Sequence, residues 1–405
     1  MQSVTYIPHL ESTVRYACCM QLATRVLGFT PNPFTELTAL AVQHNAVNLG
    51  QGFPDWTPPD FVLQSVPQTF ASAAHQYTNP RGVPRLLNAV AALLEPQIGA
   101  IDATAEITIT VGATQAIHAA LLTLVNAGDE VILLEPKFDS YTPQVRLCDG
   151  LPVFVPLELK EGVWVLDLDK LRAAITPRTK GIILNSPHNP TGKVFSKAEL
   201  EGIAALAQEF DWWVISDEVY DRITFGAAHI SFASLAGMRE RTVTIGSAGK
   251  IFSVTGWRIG WAVAPATITQ AMRGAHQWIP FHVTGFVQEA VAQCLELAAQ
   301  NGYYAALQAR FLEQRDRLAG VLSKAGFAVL LPEGGYFIVA GVDKFSDNVA
   351  EFARYLVAEI GVAAMPVPIF YDPSTRASAP NALRFAFCKS LETIAAAAAK
   401  LERLH

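Results

Sequence analysis

Apolar residues run along the chain in two rhythms, each predicting a different element. Short unbroken runs predict strands buried on both faces: Glu130-Val-Ile-Leu-Leu-Glu135, Pro152-Val-Phe-Val-Pro156, Gly181-Ile-Ile-Leu-Asn185, Trp212-Trp-Val-Ile-Ser216 and Arg241-Thr-Val-Thr-Ile245. Ile107-Thr-Ile-Thr-Val111 alternates as a strand does. Helical spacing covers residues 34–46, 116–126 and 168–174, with Gly128 as a left-handed cap. Ser196 with Glu199 is a capping box that opens a helix reaching Phe210. Strands alternating with helices predict an α/β fold, with a mostly parallel sheet sandwiched by helices. From about residue 285 the order changes. Helices at 285–299 and 303–325 precede strands at 327–331 and 336–340, a helix ending near Ile360, a strand at 383–388 and a last helix at 391–404. That order predicts a smaller α+β unit.

In a parallel sheet the ligand sits beyond the carboxyl ends of the strands. Ala113, Asn189, Asp217 and Lys250 all fall just past predicted strand ends. The stretch from Ile245 to Trp261 places Ser247, Lys250 and Arg258 within twelve residues. A lysine at a strand end can be desolvated, which lowers its pKa and frees an amine to attack a carbonyl. Serine and arginine both donate to phosphate oxygens, so the stretch describes a pocket for pyridoxal phosphate. Taken alone it describes a solvated lysine and a strand-ending arginine equally well.

Each further part has the same double reading. Gly112-Ala-Thr-Gln115 joins a strand to a helix N-terminus, an amide corner that binds anions, although this junction is mostly structural in α/β proteins. Gly50 and Gly52, in the Gly/Pro-rich loop 47–59, let backbone approach a ligand, or simply pack beneath the loop. Asp217 can pair with a protonated ring nitrogen, or form an ordinary salt bridge or cap. Asn189 and Tyr220 offer donors to a ring oxygen. Phe138 offers an apolar cover for the ring, or is a core phenylalanine.

Composition narrows the classes. The chain has 405 residues, 51% of them hydrophobic and 16% charged, enough to bury the core of two or three domains. A formal net charge of −6 gives no general attraction to nucleic acid or to an anionic membrane, so any anion site is local. Five scattered cysteines (Cys18, Cys19, Cys148, Cys294 and Cys388) predict reduced thiols in a cytoplasmic protein. Charges, Pro or Gly interrupt every apolar stretch before it could span a membrane. No metal site is expected.

Asn189-Pro-Thr-Gly192, Asp217-x-x-Tyr220, Ser247-x-x-Lys250 and Gly256-Trp-Arg258 together resemble the fold-type I, class I aminotransferase motif set, over about residues 32–404. Asn48-Leu-Gly-Gln-Gly-Phe-Pro-Asp55, Gln76-Tyr77, the run from Ser186 to Phe195 and Gly361-Val-Ala-Ala-Met-Pro366 resemble its kynurenine aminotransferase/glutamine transaminase and bacterial methionine aminotransferase branch. The resemblance implies that Lys250 holds pyridoxal phosphate as an imine and then carries the proton between two carbons. It also implies that Asp217 pairs with the ring nitrogen, Asn189 and Tyr220 with the phenolic oxygen, and Phe138 with the ring face. Ser247, Arg258 and the amides of Ala113 and Thr114 would hold the phosphate, with Tyr77 of a second subunit in a homodimer that shares its active sites.

The resemblance further implies that Arg384 clamps the substrate carboxylate and that Phe34, Gly52, Asn189, Tyr141, Phe281 and His282 lie near the substrate. It divides the chain into an extension (1–30), a segment packing with the small domain (31–48), a large cofactor domain (49–284) and a small domain (285–405). The activity it implies is ping-pong transfer of an amino group from a neutral, sulfur-containing or aromatic amino acid to a 2-oxo acid. The alternative is a β-lyase acting on cysteine conjugates or cystathionine-like substrates. A non-catalytic sensor would need a DNA-binding module, for which about thirty additional N-terminal residues are too few.

Overall fold

The computed structural model describes residues 23–27, 29, 33–72 and 75–404. Most of the expected extension, with Cys18 and Cys19, lies outside the described residues. An eight-stranded sheet forms the larger layer, in the order Ile107–Val111, Ile259–Val263, Thr242–Ser247, Trp213–Asp217, Thr179–Asn185, Glu130–Glu135, Leu151–Lys160 and Val163–Leu166. The strands from Thr242–Ser247 through Leu151–Lys160 run parallel; Ile259–Val263 and the two edge strands are antiparallel to their neighbours. Every residue of Glu130–Glu135 and Thr242–Ser247 is buried, which is why these strands read as unbroken apolar runs. Register sets Asn185 beside Asp217 and Asp217 beside Ile245, so the neighbouring strands end together at one edge.

A second, antiparallel sheet contains Ala328–Leu330, Phe337–Gly341, Ala382–Ala386 and Met365–Pro366. Val47–Asn48 pairs in parallel with Val362–Ala363, so the stretch expected as a Gly/Pro-rich loop begins as a short strand held by the C-terminal part of the chain. Several expectations need correction. The helix at 116–126 is Gly112–Leu124, starting directly at the glycine, and it ends in an extended residue, Val125. Gly128 has φ +85° but stands in the following turn and does not cap the helix. The strand at 152–156 continues to Lys160 and folds back as a hairpin with Val163–Leu166. No helix among the described residues is long and apolar enough to cross a membrane.

Candidate active site

Strand ends fix the reactive groups. Lys250 lies in a single helical turn, Ala248–Ile251, directly after Thr242–Ser247, and Ser247 caps that turn by accepting from Gly249 N–H at 3.2 Å. Burial, helped by the Arg258 and Arg384 charges and opposed by Cys388 and Asp217, pulls the Lys250 ammonium down to about 8. Lys250 Nζ donates to Tyr336 Oη at 2.6 Å.

On the adjacent strand, Asp217 accepts from Tyr141 Oη at 2.5 Å and more weakly from Val219 N–H at 3.4 Å. Burial raises its carboxyl to about 6, while these bonds and the Lys250 charge hold it lower than burial alone would. Asn185, at the end of the third strand, donates to Asp217 O at 2.8 Å and accepts from Asn189 N–H at 2.7 Å, setting the position of the Asn189 loop.

The anion corner lies opposite. Gly112 begins its helix at φ +71°, and the first-turn amides, those of Ala113 and Thr114 included, leave a helix end without intrahelical partners. Arg258, itself left-handed at φ +56°, lies against this turn and donates to Thr255 O at 3.1 Å. The fit is tight. A Cβ on Gly112 would lie 2.4 Å from Arg258 Nη2, and one on Gly260 2.5 Å from the Gly112 carbonyl carbon. Only bare backbone lets the arginine and the helix end converge.

The third part is Arg384, 2% exposed in Ala382–Ala386. Its Nη1 donates to Asn189 Oδ1 and its Nη2 to Gly50 O, both at 2.9 Å. Rings of Phe337, Phe370 and Phe34 surround the guanidinium, with centroids at 3.9, 4.6 and 5.2 Å. Burial lowers its pKa to about 10, which still leaves it charged at neutral pH. Arg384 Nε is buried with no hydrogen-bond partner among the described residues. A buried cation with an unused donor at a pocket wall suits an arriving carboxylate.

These parts share one cavity of about 260 Å³, lined by Phe34, Gly52, Ala113, Thr114, Phe138 and Tyr141 along one stretch of wall. Asn189, Asp217, Tyr220, Ser247, Lys250, Arg258 and Arg384 line it as well. Three residues named from the sequence do not line it: Phe281 and His282, and Tyr77, expected to serve a second subunit's site. Tyr77 is 77% exposed, with its ring 5.1 Å from both Phe281 and His282, in a cluster apart from the cavity. Phe281 and His282 therefore do not reach the substrate cavity of their own chain. Tyr141, expected near the substrate, reaches the cavity but directs its hydroxyl to Asp217. Sequence reasoning missed Asn185, Phe337, Phe370 and Tyr336. A Gly-Gly-Tyr-Phe step into a strand was the one visible signal for Tyr336 and Phe337.

Few ligands ask for an amine, a buried anion and a phosphate corner at once. Pyridoxal phosphate does, and the residues present fit it: Asp217 is a buried carboxylate bonded to a neutral phenol and an amide, which leaves it able to face a ring cation. The fold and the pocket together are those of a pyridoxal-phosphate-dependent transferase. When bound, the cofactor supplies an electron sink for the carbon that loses its α-proton.

Residues 44–401 match the family described as aminotransferase class I and II. The chain is 39% identical over 404 residues to kynurenine–oxoglutarate transaminase 1 of Mus musculus, covering 92% of this chain and 95% of that protein. It is 41% identical over 390 residues to a probable N-succinyldiaminopimelate aminotransferase of Mycobacterium tuberculosis, covering 94% and 98%. The solved structure of the N-succinyldiaminopimelate aminotransferase from Mycobacterium tuberculosis superposes with TM-score 0.91 at 41% identity, over 95% of this chain and 100% of that one. Escherichia coli YbdL, described with a methionine aminotransferase function, superposes with TM-score 0.89 at 35% identity, over 95% and 100%. The chain belongs to the aminotransferase class I and II family and is a pyridoxal-phosphate-dependent aminotransferase. The lyase alternative is not favoured, since these relatives are transaminases.

Proposed function

We propose that the protein moves the amino group of a neutral, sulfur-containing or aromatic amino acid, such as methionine, glutamine or a kynurenine-like donor, to a 2-oxo acid by a ping-pong route. The observation that carries this reading is the composition of the cavity wall. Its only cationic side chains among the described residues are Lys250, Arg258 and Arg384. Lys250 is assigned to the proton transfer and Arg258 to the phosphate, with Ser247 and the amides of Ala113 and Thr114. Arg384 is assigned to the α-carboxylate. Phe34, Phe138 and Phe337 then present apolar surface to the donor side chain. A donor with a second carboxylate, such as the N-succinylated substrate in the Mycobacterium tuberculosis relative's name, finds no further cation on this wall.

Asp217 would hold the ring nitrogen of the bound cofactor, Asn189 and Tyr220 would hold its phenolic oxygen, and Lys250 would carry the proton to and from the α-carbon. The described small sheet and its helices serve as the small domain over 285–405, with 31–48 joined to it and 49–284 as the cofactor domain. Three buried free cysteines, Cys148, Cys294 and Cys388, support a cytoplasmic setting. Exposure of Tyr77 and Phe281, clustered with the half-buried His282, and of Trp278 (80%) nearby in sequence supports a homodimer in which Tyr77 reaches the partner's site.

A donor panel tests the substrate reading. Methionine, glutamine, phenylalanine and kynurenine are each paired with one 2-oxo acid, and aspartate and N-succinyldiaminopimelate are compared with them. A kcat/KM for aspartate or N-succinyldiaminopimelate above that of every neutral donor overturns it. Shared sites are tested by mixing Tyr77→Ala with Lys250→Ala protein. Mixed dimers should regain about a quarter of the native sites, because half of the dimers are mixed and each holds one intact site.

A further inference from the structure

We propose that Tyr336 is a positioning residue for Lys250, its phenol oxygen anchoring the free ε-amine to the Gly52 backbone. The inference rests on Lys250 being the amine that serves the cofactor. Tyr336 is 1% exposed and stands just before Phe337–Gly341; it is absent from the cavity wall and packs directly behind the wall residues Lys250, Gly52, Tyr220 and Phe337. Its hydroxyl lies 2.6 Å from Lys250 Nζ and 2.6 Å from Gly52 O.

A phenol has one proton, and a carbonyl only accepts, so that proton is given to Gly52. Toward Lys250 the oxygen is therefore the acceptor and the amine the donor. Burial holds the Tyr336 phenol in its neutral form by raising its pKa well above the ordinary value. One bond to Gly52 is enough to satisfy a buried hydroxyl, so the contact with Lys250 is surplus to that need.

The anchor is rigid. The ring stacks on Phe311 at 6.0 Å, meets Phe337 edge-on at 4.8 Å and Tyr220 edge-on at 4.9 Å. Gly52 is required for the approach, because a Cβ there would lie 2.4 Å from Phe337 Cζ and 3.1 Å from Tyr336 Cε2. A free lysine side chain has four rotatable bonds and considerable rotamer freedom to lose. With one N–H fixed on Tyr336, the amine stays within reach of the cavity during the half of the cycle in which it is not bonded to the cofactor. Anchoring of this kind affects the proton-transfer step more than substrate binding.

The test uses Tyr336→Phe in the full-length protein. With cofactor removed, Lys250 is modified by trinitrobenzenesulfonate across a pH series and the modified peptide is quantified by mass spectrometry. Loss of the acceptor disfavours the charged amine, so the midpoint should fall by about one pH unit. Reloaded with cofactor, the variant should lose about 10- to 100-fold in kcat with KM changed less than about threefold. Phe311→Leu loosens the same ring stack but keeps the hydroxyl, and should leave the labelling midpoint in place. An unchanged midpoint in Tyr336→Phe, or equal movement in both variants, overturns the proposal. Turnover by Lys250→Ala would instead overturn the underlying role of Lys250, so the two failures are distinguishable.

Discussion

Replacing Arg384 by lysine keeps the charge and removes the fork. Of the five N–H donors on the guanidinium, one goes to Asn189 and one to Gly50, which leaves three, among them the unpartnered Nε. A carboxylate can take two of these side by side. Lysine has three donors in all; if it keeps Asn189 and Gly50 it has one left. The substitution therefore costs at least one charge-assisted bond to the substrate, about 1.5–3 kcal/mol or roughly 10- to 150-fold in kcat/KM. If the shorter reach instead abandons Gly50 or Asn189, the orphaned oxygen lowers stability by about 1–3 kcal/mol, visible as a lower melting temperature. The assay compares methionine with its decarboxylated amine in single-turnover reactions, followed at the cofactor absorbance. Only the carboxylate-bearing donor should suffer. Equal losses for the two donors, or a loss below about threefold for methionine, would refute the assignment of Arg384.

Other outcomes follow from the same geometry. Because burial raises Asp217 to about 6, and a protonated carboxyl cannot pair with a ring cation, cofactor uptake by the stripped protein should weaken as pH falls through that value. Tyr141→Phe removes a bond that favours the carboxylate, so this limb should move to higher pH; equilibrium dialysis at pH 5 to 8 checks both. Gly260→Ala drives a Cβ to within 2.6 Å of Ala113 N and should weaken cofactor retention about tenfold or more, with substrate KM little changed in the saturated enzyme. Gel filtration with and without added cofactor measures that loss.

Buried parallel strands were legible because both faces are covered, so Ile182, Val214 and Val243 needed no polar alternation to hide. Their ends gave Asn189, Asp217 and Lys250 for the same reason: chemistry collects where apolar runs stop. Helices were less legible where proline interrupts them. Asp60–Ser72 contains Pro67 and Pro84–Ile98 contains Pro96, residues that read as breaks in a sequence. The Gly-Gly-Tyr-Phe step marks Tyr336 but not the role proposed for it, whose partners lie 86 and 284 positions away. Tyr141 could be placed near the pocket but not aimed, since only the fold shows that its hydroxyl meets a carboxylate 76 residues on. Phe281 and His282 do not line the cavity of their own chain, a placement that spacing along the sequence cannot show.

The two bonds that hold Arg384 divide the pocket into parts that can and cannot drift. Asn189 and Gly50 lie 195 and 334 positions from the arginine, so three distant stretches of chain are clamped on one cation. A change at either of those polar contacts disturbs the guanidinium that is proposed to grip the α-carboxylate common to amino acid donors. Of the aromatic rings around the same cation, Phe34 and Phe337 face the cavity and make no hydrogen bond to the guanidinium, whereas Phe370 is fully buried behind it. On the proposed role of Arg384, new donor preferences are most accessible through the two cavity-facing rings: recognition of the amino acid backbone is then conservative by construction, and the side-chain half of the pocket is free to diversify.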